Sequence, residues 1–150
     1  MSLEHQFIVL PKTEYSEKWL DWSFMKKQNV EIANIHDDII QYILDSLKWI
    51  PTTNPSIPDK GYGLNNYGIT LIEKEGIFQM QKIFEAWIEL FSNAPDITIL
   101  TGNYEFKENG KGRYQKIKIS KQKLLDDFSK IVAFSKLSFE KDYYVVHYGI

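Results

Sequence analysis

Few residues in this sequence have the types and spacing that chemistry requires. The dipeptide His36-Asp37 is the most suggestive, because metal-dependent phosphohydrolases use a His-Asp pair on a helix with further His and Asp ligands. The other histidines, His5 and His147, stand at the two extreme ends of the chain, so no converging ligand set can be read along it. Asp37 and Asp38 therefore read as acids at the positive end of a helix, with His36 exposed in the first turn. The glycine-rich stretch from Gly61 to Gly68 lacks the third glycine of a dinucleotide loop, since that place is held by Asn66, and it leads into a strand instead of a helix. It reads as a turn in which glycines permit positive φ. There is no G-x-S-x-G elbow, and the carboxylate pairs Glu73/Glu75 and Asp126/Asp127 read as solvated surface. Cysteine is absent, which excludes a thiolate zinc site, a cysteine nucleophile and a disulfide scaffold. No catalytic residue, cofactor or metal ligand is assigned from the sequence.

Charge is the stronger signal. The net charge is −2, yet the segment from Lys107 to Lys123 holds Lys107, Lys111, Arg113, Lys116, Lys118, Lys121 and Lys123 against one acid, Glu108. That is seven basic residues minus one acid, or +6; the remainder carries eleven basic and nineteen acidic residues, or −8. Clustered cations beside an aromatic residue, here Tyr114, suit a phosphate backbone with unpaired bases. The same cations suit an acidic protein surface, and lysines on a strand also guard it against edge-to-edge pairing. Arginine, the better bidentate phosphate ligand, occurs once, as Arg113.

The elements that must position these residues can be laid out along the chain. Phe7 to Leu10, stopped by Pro11, reads as a strand, and Ser16 as the cap of a short helix through Phe24. Asn34 is placed to cap a helix in which Ile35, Ile39, Ile40, Ile43, Leu44 and Leu47 hold helical spacing until Pro51. Residues 51–63, with three prolines and two glycines, read as a loop. Ile69 to Ile72 reads as a strand, and Gly76 precedes a helix carrying Ile77, Met80, Ile83, Phe84, Trp87, Ile88 and Phe91. The clearest hairpin joins 96–106 to 114–120 through Asn109-Gly110-Lys111-Gly112, with Gly102 as a bulge. Ser120 caps a last helix with Leu124, Leu125, Phe128, Ile131 and Val132 inward, and Tyr143 to Tyr148 reads as a closing strand. The order predicts a single α+β domain over 1–150, with an antiparallel or mixed sheet and three to four helices packed on it.

Composition bounds the rest. At 150 residues and 43% hydrophobic the chain can bury a core without staples, and its 15% aromatic content leaves rings to spare for a surface. No apolar run reaches the length of a membrane span and the N-terminus lacks a signal-peptide pattern, so the expected compartment is the cytoplasm. Seventeen lysines against one arginine, with abundant isoleucine, point to an AT-rich bacterial genome.

The run from Gly61 to Ile72, the Trp87-bearing helix and then Leu100-Thr101-Gly102-Asn103-Tyr104 resemble small bacterial proteins, among them the immunity proteins that accompany polymorphic or contact-dependent toxins. The resemblance covers residues 61–106 and implies a cytoplasmic protein that neutralises a toxin domain by binding, without catalysis. Independently of it, Trp19, Trp22, Tyr62 and Tyr67 lie outside the helical stripes and are the expected aromatic anchors of a protein partner. Arg113, Lys116 and Lys118 are the expected charged contacts, either with that partner or, as an alternative function, with nucleic acid through the hairpin 107–123. A third reading is an enzyme that uses the dispersed acids Asp37, Asp38, Glu73 and Glu75, and it requires them to converge in one concavity.

Overall fold

In the computed structural model, which describes residues 3–57 and 59–150, the alternating and helical patterns resolve into two antiparallel sheets and two long helices. The main sheet has six strands in the order β2-β1-β8-β5-β3-β4. They are β1 (Glu4–Pro11), β2 (Ala33–His36), β3 (Pro51–Asn54), β4 (Asp59–Tyr62), β5 (Ile69–Ile72) and β8 (Tyr143–Tyr148). The second sheet is the hairpin of β6 (Ile97–Phe106) and β7 (Gly112–Ser120). Every ladder is antiparallel, so the chain folds as a single α+β domain of the kind its element order predicts.

One face of the main sheet is covered by α4 (Lys74–Phe91) and α5 (Lys121–Lys141). Their apolar stripes meet through Phe84 and Phe128, whose rings stand edge to face 5.0 Å apart, and they bury Phe7, Ile72 and Val145 of the sheet. Ser120 caps α5 by accepting from the Lys123 N–H (3.3 Å), as the sequence suggests. The opposite face carries a smaller core of Ile8, Leu10, Leu71, Val146 and Tyr148, covered by residues 12–32. That cover contains two short 3-10 turns (Lys12–Glu14 and Glu17–Leu20) and the one-turn helix α1 (Trp22–Lys26), capped by Asp21. Period-2 alternation along β1, β5 and β8 divides their side chains between these two cores.

Four expectations are corrected. The helix read from Ile35 begins later, because Ala33–His36 pairs with β1 as an edge strand and leaves α2 (Asp37–Tyr42) and α3 (Leu44–Leu47) separated at Ile43. Its cap is His36, whose Nδ1 accepts from the Asp38 N–H at 3.1 Å; the Asp37 N–H is bound instead to the Leu3 carbonyl (2.9 Å). The supposed loop 51–63 contains the β3–β4 hairpin, with Pro58 outside the described residues. Pro51 is tolerated as the first residue of its strand, where a missing N–H costs least. Gly76, expected before the helix, lies within α4, and a Cβ there would collide with the Pro51 carbonyl oxygen of β3. Gly102 does sit at the irregularity between Thr101 and Tyr104, as expected of a bulge.

Candidate functional site

The strands bring together what the sequence keeps furthest apart. His5 on β1 and His147 on β8 are fully buried, with His5 Nδ1 2.8 Å from His147 Nε2. His5 Nε2 lies 2.9 Å from Asp37 Oδ1, and His147 Nδ1 lies 3.4 Å from Thr70 Oγ1 on β5. In the neutral pair the Asp37 carboxylate accepts from His5 Nε2–H. His5 Nδ1 then accepts from His147 Nε2–H, and His147 Nδ1 is left to accept from the Thr70 hydroxyl. Burial, and then the adjoining His5, hold the His147 pKa well below its ordinary value. The order hydroxyl–imidazole–imidazole–carboxylate resembles a nucleophile with its bases, but Thr70 is 1% exposed and no substrate can reach it. Among the described residues no group of His, Cys, Asp and Glu is arranged to hold a metal ion.

What this polar chain does is fasten a loop. Thr70 Oγ1 accepts from the Asn65 N–H (2.8 Å), and Asn65 Nδ2 donates to the Ile69 carbonyl (2.9 Å). Gln41 Nε2 reaches both Asp37 Oδ1 and Asn66 Oδ1 at 3.2 Å. The backbone N–H groups of Gly149 and Ile150 donate to the carbonyls of Gly68 (2.8 Å) and Asn66 (2.9 Å). Gly149 must be glycine for this approach, since a Cβ would collide with the Asn66 carbonyl. At the tip of the fastened loop stands Tyr67, 82% exposed.

Tyr67 borders a groove of about 560 Å³ on the opposite face of the same strands. Its floor is Ile69 and Tyr148, which are cross-strand partners, and its walls include Leu20, Trp22 and Ile150. Trp22 is held by two contacts, its Nε1–H donating to Gln6 Oε1 (2.7 Å) and Lys26 Nζ standing 3.2 Å from its ring centroid. Two of the expected anchors, Trp22 and Tyr67, thus share one concavity. Trp19 does not join them; it is 7% exposed, packs edge to face on Phe24 and donates Nε1–H to the Glu14 carbonyl, so it belongs to the second core. Tyr62 is exposed on the edge strand β4 and lines a separate depression of about 340 Å³ with Thr52, Lys60, Glu73 and Glu75.

The cationic residues divide as well. Strand alternation sends Lys116 and Lys118 outward with Tyr114, whereas Arg113 faces the other way, opposite Glu105. The outward face of β6–β7 also carries Ile97, Ile99, Tyr104 and Phe106, all exposed. Of the dispersed acids, Asp37 is engaged by His5, and Asp38 lines a concavity with His36 and Asp127. Glu73 and Glu75 share the Tyr62 depression, so the four acids do not converge. Among the described residues no helix is long and apolar enough to cross a membrane. The polar network and the groove together define an α+β protein with a buried hydrogen-bonded seam and an aromatic-walled surface concavity. No model of a known protein family, no curated protein and no solved structure matches the chain.

Proposed function

We propose that this chain is a protein-binding module that docks a partner in the Trp22–Tyr67 groove. The observation that carries the reading is an aromatic ring left 82% exposed on a loop held by side-chain and backbone hydrogen bonds, at the rim of an apolar concavity. Exposing Tyr67 to water gains nothing for the fold, and fixing its loop beforehand lowers the entropy lost on binding. Large aromatic anchors beside a preformed pocket are what tight protein interfaces use. An immunity or inhibitor protein, which acts by occupying a toxin domain, requires no more than this and no catalytic group.

The test is recovery of the tagged protein from its native host, with protein and nucleic acid both assayed after a high-salt wash. A stoichiometric protein that survives the wash with wild type and is lost with Trp22→Ala and Tyr67→Ala supports the reading. Both variants must keep the wild-type melting curve, as expected of residues outside the two cores. Retention of that protein by the double variant, or recovery of nucleic acid alone, refutes it. A toxin gene directly upstream would extend the reading to immunity.

A further inference from the structure

We propose that the outward face of the β6–β7 hairpin is a second binding surface, separate from the groove, that takes single-stranded nucleic acid. Three aromatic rings cluster there. Tyr104 stands edge to face with Phe106 at 5.2 Å and with Tyr114 at 5.0 Å, and the three are 48%, 83% and 60% exposed, in the order Tyr104, Phe106, Tyr114. The cluster is built in: Tyr104 lies where a Cβ on Gly112 would be, so the glycine makes room for the ring.

Cations stand on both sides of the rings. Lys107 and Lys111 occupy the turn beyond Phe106, and Lys116 and Lys118 continue from Tyr114 along the same face toward the body. Among the described residues none of these four lysines has a carboxylate within ion-pair distance. Seven lysines elsewhere also lack one among the described residues, while Lys12, Lys48, Lys121, Lys123, Lys130 and Lys136 reach one, so what sets the hairpin apart is that its four unpaired lysines flank a cluster of exposed rings. A ligand that crosses this face must therefore supply repeated negative charge at both ends and flat apolar surface in the middle. A single strand with splayed bases supplies a phosphate and a ring with every unit. Duplex DNA hides its rings, and an acidic polypeptide need not bring flat groups to the centre.

The experiment is fluorescence anisotropy of a labelled oligothymidylate titrated with the full chain over a range of salt. Engagement of the four lysines predicts a log–log salt slope of about −2.8, from roughly −0.7 per phosphate contact on a single strand. Lys116→Ala with Lys118→Ala should weaken binding and flatten the slope by about 1.4. Phe106→Ala with Tyr114→Ala should weaken binding by at least about fivefold and leave the slope unchanged, because stacking carries no counterion release. Lys48→Ala, remote from the hairpin, should bind as wild type, and circular dichroism melting of each variant separates lost contact from lost fold. No binding at low salt, equal binding of the blunt duplex, or equal affinity for polyglutamate overturns the proposal; the last result would assign the face to an acidic protein. Trp22→Ala and Tyr67→Ala should leave oligonucleotide binding intact, so this proposal and the groove reading fail independently.

Discussion

Acid should weaken this fold through one residue, His147. An unfolded histidine titrates near 6.5. In the native state His147 is fully buried, and burial followed by the proximity of His5 puts its pKa well below that value. The unfolded chain therefore binds more protons than the native one below about pH 6.5. Stability from this group is complete above that pH and declines as the pH falls toward the folded value. A native state that keeps His147 neutral loses about 1.4 kcal/mol by about pH 5.5, the free energy of protonating one ordinary imidazole in the unfolded chain. Urea unfolding followed by tryptophan fluorescence, from about pH 8 to about pH 5.5, measures it against His147→Gln. The variant should be less stable than wild type by about 1–3 kcal/mol at the upper pH, where the His5 nitrogen loses its imidazole donor. That gap should narrow by about 1.4 kcal/mol at the lower pH, because the variant has no imidazole to protonate there. Thr70→Val keeps both rings and must keep the wild-type slope. Wild-type and His147→Gln curves that stay parallel across the range would refute the reasoning.

Two further substitutions test packing. Gly76→Ala should lower stability by about 1–2 kcal/mol in urea unfolding: the helix gains up to about 1 kcal/mol in propensity, but the new Cβ meets the Pro51 carbonyl and the Ile72 side chain. A gain would show that β3 moves aside freely. Ser138, 1% exposed in α5, has a hydroxyl with no hydrogen-bond partner among the described residues, so Ser138→Ala should stabilise by about 1 kcal/mol; a measurable loss would reveal a partner for the hydroxyl.

The parts of this fold that were legible in the sequence are those set by near neighbours. The α4 and α5 stripes, the Ser120 cap, the Gly102 bulge and the alternation in Gln115–Ile119 all follow from spacings of two to four residues. The polar seam was not legible, because His5 and His147 are 142 positions apart and only the β1–β8 pairing joins them. A clue was present for one of them: His147 lies within the Tyr143–Tyr148 run that reads as a strand, where a buried polar side chain needs a partner, whereas His5 stands ahead of the Phe7–Leu10 run. Trp19 was not legible as a core residue because the segment that covers the second core is made of short turns with no periodic stripe. The β3–β4 hairpin was masked by its prolines and glycines, which are tolerated at the first residue of β3 and on the exposed edge strand β4.

The groove is a consequence of unequal cover. Six strands spaced about 4.8 Å apart make a sheet roughly 24 Å across. On one face α4 and α5, of 18 and 21 residues, run about 27 and 32 Å and are each about 10 Å wide, enough to roof it. On the other face the cover, residues 12–32, holds only two short turns and a helix of 5 residues; it packs on Ile8, Leu10 and Val146, and Leu20 and Trp22 form its margin at the groove. Ile69 and the margin of Tyr148 are left as an apolar floor. Behind that floor the same strands carry Thr70 and His147 toward α2, where Asp37 and Gln41 close the seam and Asn66 ties it to the Tyr67 loop. A hydrophobic residue at position 70 would bury as well but would leave the Asn65 N–H of the loop without its acceptor, and one at position 147 would leave His5 Nδ1 without its partner. The polar seam is thus explained by the loop it positions, and the loop by the groove it borders.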